Sequence, residues 1–227
     1  MARKNGSLTQ MIDGDYYSSY LDPDKVREAL RFTPGRGDIV QMTYPASGTH
    51  WMQQMIQLIL HGGRSASSYR EFESSFTFLE AVGKPAEVAS TSSPRHLTTH
   101  IRPGKLAISS EAKCVYVARN PWDACASLYE LQREIRGLSD RQTFDDFVSL
   151  FLQGLAGHGD YFEHVRAGYL RKDEPNVFFV TYEAMAADLE DVVLRLADFL
   201  GTEYGQALRQ NSESLSEIVT HRPVTVA

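Results

Sequence analysis

Cysteine is scarce in this chain, with two residues in 227, Cys114 and Cys125. Two thiols cannot build a disulfide framework or a thiolate metal cage, which favours a reducing compartment. No uninterrupted apolar run approaches the ~18–20 residues that span a bilayer, so no membrane partner is expected. The basic pair Arg3-Lys4 is followed by no apolar segment, so no signal peptide is read, and Ala2 stands where myristoylation needs glycine. Asn5-Gly6-Ser7 matches a glycosylation sequon, but without a secretory route it reads as chance. These absences predict a cytoplasmic protein. Basic residues are outnumbered, 23 against 29 acidic for a net charge of −6, which argues against a general nucleic-acid binder. That balance still permits a small anion held by a few local donors. Repeats and low-complexity tracts are missing. A hydrophobic share of 42% with 23% charged residues suits one globular domain spanning residues 1–227.

What is present is an alternation of strand and helix signals. Asp22 as N-cap and Pro23 in the first turn predict a helix to Arg31. Asp38 to Tyr44 reads as a buried strand. After the loop Pro45-Ala-Ser-Gly-Thr49, the residues Trp51, Met52, Met55, Ile56, Ile59 and Leu60 fall at helical spacing. Gly62 to Pro94 reads as loops with one helix around Phe72 to Val82. Arg95 to Ile101 and Lys113 to Ala118 are further strands, the second without strict alternation, as in a strand covered on both faces. Asn120 and Pro121 open a helix to about Ile135. Thr143 and Asp146 open another, with Phe144, Phe147, Val148, Phe151 and Leu152 expected on one face. A strand from Asn176 to Thr181 precedes a helix through Met185, Leu189, Val192, Leu196 and Leu200, closed by Gly201. This pattern predicts an α/β fold with a parallel central sheet flanked by helices, and ligands at the carboxyl ends of its strands.

The loop after the first buried strand is the first chemical signal. A glycine in a tight turn lets successive amides converge, and a helix N-terminus adds partial positive charge. Ser47 and Thr49 add hydroxyl donors around Gly48. The competing interpretation is an ordinary strand-to-helix turn capped by Ser or Thr. No lysine follows Gly48, so the GxxxxGK[ST] pattern of phosphotransferases is not met.

Four blocks then resemble one family, in that family's order. Tyr44-Pro-Ala-Ser-Gly-Thr-His-Trp51 is similar to the 5′-phosphosulfate loop of the cytosolic sulfotransferases. Tyr116-Val-Ala-Arg-Asn-Pro-Trp-Asp-Ala-Cys-Ala-Ser-Leu-Tyr129 resembles their 3′-phosphate motif. Ser93-Pro-Arg-His-Leu-Thr-Thr-His100 resembles the strand that ends in their catalytic histidine, and Phe179-Val-Thr-Tyr-Glu183 matches a fourth block. The resemblance implies a P-loop-like sulfotransferase fold, 3′-phosphoadenosine 5′-phosphosulfate as co-substrate, no metal, and a small-molecule hydroxyl acceptor. A homodimer is compatible with it.

By resemblance, Ala46, Ser47, Gly48, Thr49, His50 and Trp51 hold the phosphosulfate end, with Trp51 packing on the base or the sheet. Arg119 and Ser127 bind the 3′-phosphate, Tyr182 contacts adenine, and His100 is the general base. Each residue has a plainer role open to it. Arg119 could cap the strand in a salt bridge, Ser127 could face solvent, Tyr182 could be a core aromatic, and His100 could be structural. His96 and His100 would stand ~13 Å apart on a strand, too far for one ion. The aromatic segment from Tyr69 to Val82, with Phe72, Phe76, Phe78 and Leu79, is either acceptor-pocket wall or core.

Three positions depart from the family pattern. Its loop lysine is Ala46, the lysine of its Lys-Thr-His strand is Thr98, and its C-terminal cofactor clamp is not found after His221-Arg-Pro223. His50 replaces the second loop threonine. The leading expectation is sulfuryl transfer to a phenol, alcohol or sterol. The alternative is a catalytically impaired member that holds a nucleotide or hydrophobic ligand. A donor aimed at the departing phosphate oxygen favours the transition state over the ground state. Restoring one by Ala46→Lys should therefore raise kcat by about a hundred- to a thousandfold with little change in donor affinity, read by steady-state kinetics on a phenol.

Overall fold

Strands that are apolar on both faces need cover on both sides, and this chain alternates strand and helix to provide it. The structure is a computed structural model that describes residues 7–83, 94–136 and 143–220. Asn5 of the sequon and the segment from His221 onward lie outside the described residues.

A hairpin of β1 (Thr9–Ile12) and β2 (Asp15–Ser18) leads into α1 (Pro23–Arg31). The expected cap of α1 forms, with Asp22 accepting from the Asp24 amide at 2.9 Å. Then follow β3 (Asp38–Thr43), α2 (Thr49–Leu60), α3 (Tyr69–Ser74), β4 (Thr77–Phe78) and α4 (Leu79–Val82). After β5 (Arg95–Thr99) and β6 (Lys113–Ala118) come α5 (Pro121–Arg136), α6 (Phe144–Leu152) and α7 (Tyr161–Tyr169). The chain continues with β7 (Val177–Thr181), α8 (Tyr182–Ala187), α9 (Leu189–Leu200), α10 (Thr202–Gln210) and α11 (Ser212–Thr220).

The five strands of the central sheet run parallel in the order β4-β5-β3-β6-β7. Side chains alternate between faces. Ile39, Val115 and Val117 pack with Met52, Met55 and Leu196 on one side. Val40, Met42 and Tyr116 pack with Val26, Ala29 and Leu97 on the other. A third cluster beside the sheet joins Tyr44, Leu128, Phe147, Phe151 and Tyr161.

Four local expectations change. The stretch around Phe72 to Val82 holds two short helices around a two-residue strand, because Ser68 caps the first and β4 pairs with β5. The helix after β7 is broken at Asp188, whose side chain caps α9 through the Asp191 amide. On α6 only Phe147 and Phe151 are buried, while Phe144 and Leu152 are exposed, since one helical face of nine residues covers a narrow seam. The hairpin, α7, α10 and α11 were not foreseen.

At the amino end of the sheet Arg95 grips the fully buried Asp38 with two bonds, 2.6 and 2.8 Å long, and the Gly35 amide donates to the same carboxylate. Removing one member strands the other's charge. Asp38→Ala should lower unfolding stability by about 3 kcal/mol, read as a lower urea midpoint.

Candidate active site

Parallel strands share one carboxyl edge, and here each of the four long strands ends within three residues of a candidate residue. Thr43 ends β3 and leads into loop 45–49. Thr99 precedes His100, Ala118 precedes Arg119, and Thr181 precedes Tyr182. The order reverses at β3, which has β5 on one side and β6 on the other, so the crevice opens above it.

The loop turns through two left-handed residues, Ala46 at φ 61° and Gly48 at φ 103°. A Cβ on Gly48 would also meet Tyr182 Cδ2 at 3.0 Å, so conformation and space both require glycine. No side chain caps α2, which leaves its first-turn amides and positive dipole end for an anion. Ser47 Oγ and Arg119 Nε are buried donors without a hydrogen-bond partner among the described residues. Groups of that kind are rare in folded proteins unless something else supplies the acceptor. This donor set fits a phosphate or sulfate.

Arg119 Nη1 donates to the Ala46 carbonyl at 2.8 Å, and its guanidinium lies 4.2 Å from the Tyr182 ring centroid. Tyr182 in turn meets Trp51 edge-on, with centroids 5.2 Å apart. Tyr161 donates its hydroxyl to the Arg119 carbonyl. The fold therefore gathers Ala46, Gly48, Trp51, Arg119 and Tyr182 into one cluster. Ser127 joins Arg119 in lining a cavity of about 460 Å³, whose other walls include Asp123, Tyr129 and Glu130. Thr49 is held from below: its hydroxyl bonds Thr43 Oγ1 at 2.7 Å, and its carbonyl accepts from Gln41 Nε2 at 2.8 Å. Gln41 Oε1 accepts from His96 Nε2, which makes His96 a support of the loop. Thr98 is buried and bonds Gln53 of α2.

His100 Nδ1 donates to the Thr43 carbonyl at 2.8 Å. The acceptor is a carbonyl, so the proton sits on Nδ1 and the Nε2 lone pair stays available. His100 also lines a cavity of about 180 Å³ with Tyr17, Arg102, Lys105 and His158. Of the aromatic segment, Phe78 sits edge-on to His100 at 5.1 Å, whereas Phe72 and Leu79 are buried in the core. His50, half-buried in the first turn of α2, disfavours the charged form of His100. Sequence reasoning missed Gln41, Glu80, Tyr161 and His164 as supports. Asp160 capping the Glu163 amide was a legible signal for the α7 that carries two of them.

A family model described as the sulfotransferase domain matches residues 36–225. The chain belongs to the sulfotransferase family. Sulfotransferase 2B1 of Mus musculus is 34% identical over 192 residues, which cover 81% of this chain and 54% of that protein. Sulfotransferase 4A1 of Homo sapiens is 31% identical over 215 residues, covering 88% and 75%. The crystal structure of mouse sulfotransferase SULT7A1 complexed with PAP is similar with a TM-score of 0.70 at 26% identity, over 89% of this chain and 74% of that one. This sulfotransferase-family chain thus spans about half the length of the mouse 2B1 relative. Among its described residues no group of three or more His, Cys, Asp or Glu could hold a metal ion, and no helix is long and apolar enough to cross a membrane.

Desolvation dominates the site's titration. It pushes His100 down to about 4, with the Thr43 carbonyl opposing, and takes His96 and His164 to about 3. Burial raises Glu80 to about 7, against the His100 amide that favours its charge. The histidines bind protons in the unfolded chain near pH 6.5 but not in the folded one, so their contribution is present above 6.5 and lost towards pH 4. Glu80 acts oppositely between about 4.5 and 7, and three histidines outweigh one carboxyl. The urea midpoint should fall as pH drops from 6.5 to 4.5, and His96→Leu should flatten that slope.

Proposed function

We propose that this chain transfers a sulfuryl group from 3′-phosphoadenosine 5′-phosphosulfate to the hydroxyl of a small-molecule acceptor, a phenol, alcohol or sterol. One observation carries the reading. The imidazole of His100 is fixed to the carbonyl of Thr43, the last residue of the strand that feeds the phosphate loop. A base with a free Nε2 therefore stands beside an anion cradle. PAP in the mouse SULT7A1 structure supports the same nucleotide here.

When bound, the phosphosulfate supplies the sulfuryl group and a phosphate leaving group. His100 Nε2 takes the acceptor's hydroxyl proton as the oxygen bonds to sulfur and the bond from sulfur to the bridging oxygen breaks. Ser47, the amides of Gly48 and Thr49, and the α2 dipole would hold the 5′ end. Arg119 and Ser127 would hold the 3′-phosphate, and Trp51 and Tyr182 would flank the base. Ala46 brings no side-chain donor, and His50 is the nearby loop group with one. The two buried free cysteines fit a cytoplasmic location, and the family resemblance is compatible with a second copy of the chain as partner.

Calorimetry with adenosine 3′,5′-bisphosphate tests it alongside transfer to a phenol. Arg119→Ala removes charge-assisted bonds, so affinity should fall at least roughly tenfold. His100→Ala should abolish transfer and leave that affinity nearly unchanged. Nucleotide binding without transfer by the unmodified chain would replace this reading with that of a nucleotide-holding module. No binding would overturn both.

A further inference from the structure

We propose that Glu80, together with the His164–Tyr116 pair, acts as a positioning clamp on the His100 backbone that keeps its ring on the Thr43 carbonyl and so in one tautomer and direction. The inference rests on the reading of His100 as the base. Every other hydrogen-bonding atom of that residue is committed. Its amide donates to Glu80 Oε1 at 2.6 Å, its carbonyl accepts from His164 Nε2 at 3.3 Å, and its Nδ1 donates to Thr43 at 2.8 Å. Only Nε2 is left for chemistry.

The clamp has a consistent proton order. His164 Nε2 faces a carbonyl and must carry its proton, so its Nδ1 is an acceptor, and the single Tyr116 hydroxyl proton is shared between that Nδ1 at 2.7 Å and the His164 carbonyl at 3.0 Å. Tyr116 thereby anchors both the ring and the carbonyl of His164, and His164 holds the peptide of His100. Both side chains are buried. Tyr44 and Tyr161 pack beside them: the Tyr44 ring meets His164 edge-on at 5.6 Å and Tyr161 at 5.0 Å.

Stability does not explain Glu80. It is 2% exposed, and its Oε2 has no hydrogen-bond partner among the described residues. Burying a carboxyl is costly even with one oxygen bonded. Its carboxyl faces the turn that follows β5, where the His100 amide donates to it and the Thr99 hydroxyl and Ile101 amide also favour its charge, and through that turn it sets the entry of the ring into the cavity shared with Tyr17, Arg102 and His158. Glu80 touches no reacting atom in this scheme, so it is a positioning residue.

Long-range proton–nitrogen spectra of the full chain read the His100 ring directly, whether or not the chain turns over. The unmodified protein should show the single Nδ1–H form. Glu80→Ala should give a mixture of tautomers, with kcat at least about tenfold lower and adenosine 3′,5′-bisphosphate affinity within twofold. Glu80→Gln keeps an acceptor oxygen and should restore the single form and most of kcat. Tyr116→Phe probes the clamp from the other side, should Glu80→Ala fail to fold, and should also mix the tautomers. An unchanged ring spectrum in either folded variant would overturn the proposal. Equal loss of kcat, nucleotide affinity and melting temperature would do so too, by marking a plain core role. Failure of the sulfotransferase reading would show separately, as no transfer by the unmodified chain despite an intact Nδ1–H signal.

Discussion

A parallel ladder cannot end its strands anywhere but on one edge, and that constraint organises this molecule. The register places Met42 beside Thr99, Thr43 beside Val117, and Ala118 beside Thr181. The residues that follow are therefore delivered to one crevice without any one of them seeking the others. Because β3 sits between β5 and β6, loop 45–49 is flanked by His100 on one side and Arg119 on the other. The apolar faces of the sheet keep that register, since a slip by one residue would turn Ile39 and Val40 onto the wrong layers.

Polar groups then trade stability for readiness. Ser47 Oγ and Arg119 Nε have no hydrogen-bond partner among the described residues, and the buried His96 and His164 resist protonation because burial disfavours their charge. At the opposite end of the sheet the buried charge is paired, Asp38 being gripped by Arg95 and the Gly35 amide. The same logic makes the loop's glycine and the Arg119–Tyr182 stack parts of one device: the ring that would collide with a larger residue at position 48 is the ring beneath the guanidinium.

Strands with uninterrupted apolar runs were readable, because Val40, Val115 and Val117 need burial in any fold that contains them. Caps at Asp22, Asn120 and Thr143 were readable too, since each is a bond between near neighbours. The short β4 was not, for two residues carry no period and its existence depends on β5 beside it. The break at Asp188 was hidden by apolar spacing that runs through it. Exposure of Phe144 and Leu152 was hidden because period names a face, while the neighbours decide how wide a seam is covered.

The order of motifs along the chain was enough to determine the family, and it singled out loop 45–49, His100 and Arg119 as candidates. These depend on residue type and short spacing. Tertiary structure alone decided which groups meet across long separations: Ala46 with Arg119 over 73 positions, His100 with Thr43 over 57, and Glu80 with His100 over 20. Such contacts follow from strand order and register, and no local pattern of residues encodes the partner that a sheet brings alongside.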